Sequence, residues 1–186
     1  MNPRWSERMP PPVVRDEVLK RFLRYPVQRP LEGALAEAEA WVRAWFAAHA
    51  RPWSCAAIGD HAMRSAFGPR FAPGDQLVIV AVSAGPEPGK AAAQEWARDR
   101  PDRYYFLECY AAAVVDELLQ DARRRLSAAR HQCPGYPSWP IGDNLPLLAA
   151  LRRQVALPGV LDVLESGMLR PQKSQLAVIA LPRVPV

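Results

Sequence analysis

His131 and Cys133 stand one residue apart in the stretch HQCPGYPSWP, residues 131–140. An extended backbone sends alternate side chains to one face, where an imidazole and a thiolate could share a transition metal or a cobalt centre. Structural zinc normally takes four ligands, and no second pair supplies the remaining two. The same residues also read as a polar histidine and a small buried cysteine at a helix exit. Directly after them, Pro134 fixes φ near about −65°, and Gly135 permits a positive φ or a close backbone approach. Such a turn leaves nearby N–H and C=O groups available to a ligand. Tyr136 and Trp139 offer ring faces to a planar group, with a phenol and an indole N–H as polar handles; alternatively both rings plug the edge of a core.

A second candidate lies upstream, on a long helical run carrying Glu108, Asp116, Glu117 and Asp121. Charges on an outer helix face explain most of these. Asp116 lies nearer the small residues Ala112 and Ala113, and a carboxylate on that seam could accept hydrogen bonds from a cationic or amine ligand. Familiar cofactor and nucleophile patterns are missing. The chain has no GxGxxG, no GxxxxGK[ST], no GxSxG and no CxxC. Asp60-His61 is the one adjacent Asp-His pair, and His61 reads as a loop histidine.

These residues need a scaffold, and the composition supplies one. The 186 residues are 49% apolar, enough for one domain with a single core. A Pro-rich N-terminal arm (1–13) precedes that domain (14–186). The twenty prolines fall mostly at element boundaries. Three scattered cysteines (Cys55, Cys109, Cys133) read as reduced thiols. With no apolar signal core at the N-terminus and no run long enough to span a bilayer, the expected location is the cytoplasm, away from the membrane. The net charge of +5 lacks the clustering of a nucleic-acid binder, its longest basic run being Arg123-Arg124-Arg125.

Residues 1–12 read as a loose arm. Helical periodicity marks 14–25, 31–50, 90–100, 104–130 and 143–155, with Asp143 or Asn144 capping the last. The 104–130 run is expected to be one continuous helix packing Leu107, Val114 and Leu118 on a sheet. Apolar runs at 53–59, 75–83, 160–166 and 174–184 read as strands, the 75–83 run as a buried one. The order of elements predicts a single α+β domain, with a twisted, mostly antiparallel sheet backed by helices.

With the residues in view, ARHQCPGYPSWP resembles the RxxPGY signature of the activation (reactivation) domain of cobalamin-dependent methionine synthase, and more closely its short stand-alone relatives. LESGMLRPQKSQLAVIAL (164–181) resembles the family's T-E-S-x-x-M-x-P-x-x-S-V-S pattern at Glu165, Ser166, Met168, Pro171 and Ser174. VLKRFLRYPVQRPLEG and LECYAAAVVDELLQD are similar to the opening and long helices of the stand-alone forms, so the resemblance spans roughly 15–182. It implies a role accessory to a corrinoid protein or cobalamin-dependent methyltransferase, assisting reductive reactivation or methyl transfer. It also implies S-adenosylmethionine as a ligand, with cobalamin on the partner or bound directly. The backbone at Cys133 and Gly135 and the Tyr136 ring would line the ligand pocket, with Asp116 where the family usually has glutamate. Strands near 160–166 and 174–182 would bring Ser166, Met168 and Ser174 towards the elbow formed by CPGYPSWP, residues 133–140.

One departure bears on chemistry. His131 occupies the place of the family arginine that would pair with the methionine carboxylate, and Arg130 is one place off register. A neutral imidazole cannot make the bidentate fork of a guanidinium. Two other roles fit the same residues: a corrinoid-binding or sensor protein with His131 or Cys133 near cobalt, and a non-catalytic interaction scaffold.

Overall fold

The structure, a computed structural model, describes residues 3–12, 14–23, 32–128 and 130–181. Three strands form its centre. β2 (Trp53–Ile58), β3 (Gln76–Ser83) and β7 (Ser174–Leu181) are apolar enough to be covered on both faces. Two short strands complete the sheet, β1 (Trp5–Arg8) and β4 (His131–Gln132). The order is β1-β2-β3-β7-β4 and every pairing is antiparallel.

Because side chains alternate across a strand, the sheet sorts its residues into two cores. Ala56, Val78, Val80, Val82, Ala177 and Ile179 face the helices α1 (Asp16–Leu23), α2 (Glu32–His49), α4 (Glu87–Ala97) and α5 (Pro101–Arg125). Cys55, Ala57, Ile79, Ala81, Leu176 and Val178 face α3 (His61–Phe67) and α6 (Asn144–Gln154). The domain is therefore α+β with an antiparallel five-stranded sheet between helices, as the element order predicts. No described helix is long and apolar enough to cross a membrane.

The expected α5 packing is present, with Leu107, Val114 and Leu118 buried against the sheet. The expected limits are not. The helix begins at Pro101, where a missing N–H costs nothing, and ends at Arg125 rather than Arg130. Ser127 turns left-handed (φ 51°), and Ala128 N donates to Arg123 O at 2.9 Å, which closes the helix. The released chain then runs back along β7 as β4.

Other expectations change with tertiary contacts. The loose arm contains β1, whose Trp5 Nε1 donates to Ser54 Oγ at 3.0 Å. His61 opens α3 instead of sitting in a loop, because Asp60 caps that helix by accepting from Met63 N at 2.8 Å. Glu117 is buried and paired to Arg15 at 2.8 Å, not solvated on an outer face. The runs 160–166 and 174–184 do not pair with each other. β5 (Asp162–Val163) and β6 (Leu169–Arg170) form a separate two-stranded hairpin, while β7 lies between β3 and β4. Residues 24, 25 and 31 of the first two expected helices, and 182–184 of the last strand, lie outside the described residues.

Candidate functional site

The elbow between β4 and α6 is a closed piece of backbone. Gly135 takes φ +90° and donates its N–H to Trp139 O at 2.9 Å, while Trp139 N donates to Tyr136 O at 3.0 Å and Tyr136 N to Cys133 O at 3.3 Å. The turn thus uses internally the groups expected to be left for a ligand. Those bonds hold the eight residues rigid and set their side chains in opposite environments.

Trp139 goes inward. It is 4% exposed, packs against Phe67 and Phe71, lies under the Arg70 guanidinium, and donates Nε1–H to Asp143 at 2.7 Å. It is a core plug, which corrects its assignment to a ligand face. Asp143 consequently serves the indole and makes no side-chain cap for α6. Tyr136 goes outward, 51% exposed, with its hydroxyl accepting from Gln175 Nε2 at 3.3 Å. Its ring centroid is 6.5 Å from that of His131.

His131 and Cys133 share the face of β4 that looks towards α5, as their spacing predicts, yet they do not form a ligand pair. Cys133 is fully buried in the α5-side core, and burial pushes its thiol up to about 12. Cys55 is likewise pushed to about 12 and Cys109 upward, in both cases mainly by burial. Thiolate is the reactive and metal-binding form. The native protein should therefore show almost no labelling by a thiol reagent at neutral pH, and three equivalents once unfolded. Rapid native labelling of one thiol would contradict this burial. Among the described residues, no three His, Cys, Asp or Glu side chains converge as a metal site requires.

His131 is half-buried, and its Nδ1 is buried without a hydrogen-bond partner among the described residues. Burial, then the charge of Arg123, hold the imidazole below the usual histidine range, while Asp116 pulls the other way. Asp116 and Arg123 on α5 are thus electrostatic neighbours of His131, and Asp116 also pairs with Arg21 at 3.3 Å. The sequence singled out Asp116 but missed Arg123, which reads there as one of three basic residues at a helix end. Because the folded pKa is depressed, the unfolded chain takes up this proton first as pH falls. His131 should therefore cost stability as pH drops below about 6.5. The urea midpoint is expected to fall between about pH 7 and pH 5.5, with a shallower slope for His131→Gln. Equal slopes would show that this site contributes nothing to the pH dependence.

The supporting residues divide. Met168 and Ser174 meet Pro134, Ile141, Asn144 and Leu176 around a groove of about 170 Å³, open to solvent, between elbow and hairpin. Glu165 and Ser166 do not line it; they are exposed on the hairpin turn, where Ser166 Oγ accepts from Met168 N at 3.4 Å. Arg130 is exposed beside β4. The hairpin seats against the elbow at Gly167 (φ +82°), where an added Cβ would come within 2.9 Å of Ile141 and Gly142 backbone atoms. Gln175 and Asn144, which the sequence reading passed over, connect the elbow to β7 and to the hairpin.

No family model matches the chain, and no curated protein matches it in sequence. Its structure is similar to a crystal structure of the MetH reactivation domain bound to AdoHcy, with a TM-score of 0.60 and 12% identity, covering 86% of this chain and 68% of that one. At that identity the likeness is one of fold: this protein shares the α+β architecture of a methionine synthase reactivation domain.

Proposed function

We propose that this chain is an accessory protein that holds an S-adenosyl ligand, S-adenosylmethionine or the related AdoHcy, against the outer face of the elbow. In this reading it works beside a corrinoid protein or cobalamin-dependent methyltransferase, assisting reductive reactivation or methyl transfer. The observation that carries the reading is Tyr136: an exposed ring anchored through Gln175 and beside His131, whose electrostatic neighbours include Asp116. A fold shared with a domain that binds AdoHcy supports it. The ring offers a face for the purine or sulfonium, and the carboxylate of Asp116 suits the ligand's cationic groups.

Calorimetry with S-adenosylmethionine and AdoHcy tests the proposal. Binding of at least one is expected, and Tyr136→Ala should weaken it about threefold to tenfold, the worth of a stacking face. Its melting temperature should hardly move, since the ring is half exposed. No binding of either compound would overturn the proposal.

A second reading, direct contact of His131 with a corrinoid cobalt, is favoured by a half-buried imidazole that burial and the charge of Arg123 hold below the usual histidine range, which keeps a ring nitrogen unprotonated for a metal. Added hydroxocobalamin separates the two. A new axial nitrogen ligand shifts the corrin absorption bands, and His131→Ala would abolish that shift.

A further inference from the structure

At the end of the sheet away from β4, β1 is bonded to β2, and no described strand lies on its other side. The register shows which of its backbone groups are occupied. Met9 N donates to Pro52 O at 2.9 Å, which continues the β1–β2 register, and bonded pairs in an antiparallel ladder recur at every second residue. Trp5, Glu7 and Met9 therefore turn their N–H and C=O groups towards β2, while Arg4, Ser6 and Arg8 turn theirs outward. Those three residues are exposed, and no described residue bonds the outward backbone groups of Ser6 or Arg8. Pro10, the next outward position, has no N–H and ends the edge.

The side chains limit what can pair there. Trp5 and Met9 pack on the α5-side core, and Glu7 on the same face pairs with Arg125. Arg4 and Ser6 reach the other side and donate to the Gln154 and Ala156 carbonyls at the end of α6. Arg8 follows them by alternation. Neither Arg4 nor Arg8 meets a carboxylate among the described residues, so two uncompensated guanidiniums flank Ser6 along the open edge. A second copy fits this edge badly. The two antiparallel registers that pair three strand residues of each copy set Arg4 against Arg8, or Glu7 against Glu7, and like charges directly opposite are destabilising.

We propose that the outer edge of β1 docks an extended, acidic segment of a partner protein, which adds to the sheet as a sixth strand. Its main chain bonds the outward groups of Ser6 and Arg8. Carboxylates two residues to either side of the position facing Ser6 meet Arg4 and Arg8, while uncharged residues between them face Trp5 and Glu7. The net charge of +5 draws such a segment in. The inference is independent of the S-adenosyl reading, which concerns the opposite end of the sheet.

The test follows the full, isotopically labelled chain by NMR with two capped pentapeptides, Glu-Val-Thr-Val-Glu and Lys-Val-Thr-Val-Lys, at low salt. Both sequences read the same in either direction, so neither strand orientation is assumed. The acidic peptide should bind roughly threefold to tenfold tighter, the worth of two exposed ion pairs. Its shifts should centre on the Ser6 and Arg8 amides, and added salt should shrink the preference. Ser6→Pro removes an outward N–H without touching the bonds to β2, and should abolish the shift at Arg8. If that variant does not fold, Arg8→Glu, at an exposed residue, decides by erasing the preference. Equal affinity for the two peptides, no binding of either, or acidic-peptide shifts that survive Ser6→Pro would overturn the proposal. So would a dimer in sedimentation whose Ser6 amide is protected from exchange, because a second copy then fills the edge.

Discussion

Trp139→Ala is expected to destabilise the protein by about 3–5 kcal/mol, the usual cost of removing a large aromatic side chain from a core. At this chain length that is a fall of roughly 6–20 °C in melting temperature. The ring is 4% exposed between Phe67 and Phe71, and its N–H is satisfied by Asp143. The space it leaves cannot collapse easily, because Phe67, Phe71 and the Arg70 guanidinium pack on different sides of it. Affinity for an S-adenosyl ligand, measured well below the melt, should stay close to wild type, in contrast to Tyr136→Ala. A melt lowered by less than about 3 °C would show that Trp139 does not hold the elbow to the core.

His131→Arg is the second large effect, this time a gain. A guanidinium at the end of β4 would supply the bidentate partner that the imidazole cannot give to a ligand carboxylate. Charged hydrogen bonds are typically worth about 1.5–3 kcal/mol. Burial and then the field of Arg123, which already hold the imidazole below the usual histidine range, oppose a new cation there, and Asp116 competes for it. The gain is therefore expected at the lower end, roughly tenfold in S-adenosylmethionine affinity by calorimetry. Adenosine, which has no carboxylate, should gain nothing. An equal gain for adenosine would mean that the carboxylate does not reach β4, and no gain for either would remove His131 from the ligand's path.

Side-chain type alone foretold neither behaviour. Tyr136 and Trp139 are both aromatic, three residues apart on one Pro-rich turn, and as sequence they are interchangeable candidates. The bond from Gly135 N to Trp139 O tightens the turn so that one ring enters the α6-side core and the other stays outside. The spacing of His131 and Cys133 is enough to give them a common face, because period-two alternation is local. Which face was the core could be known only once β4 docked on β7.

What the sequence by itself determined is what local spacing controls. The helical stripe through Leu107, Val114 and Leu118, the buried β3 run and the Pro134-Gly135 turn all follow from periodicity and backbone preference. The α+β class follows from their order. The tertiary structure decided the rest. Trp5–Arg8 becomes a strand because β2 presents an open edge, and α5 stops at Arg125 where Ser127 turns left-handed. The hairpin at 162–170 pairs with itself because β7 is already claimed on both sides by β3 and β4. Strand partnership and the burial of Glu117 by Arg15 depend on residues far apart in the chain. Such contacts form only after loops close, so no local pattern records them.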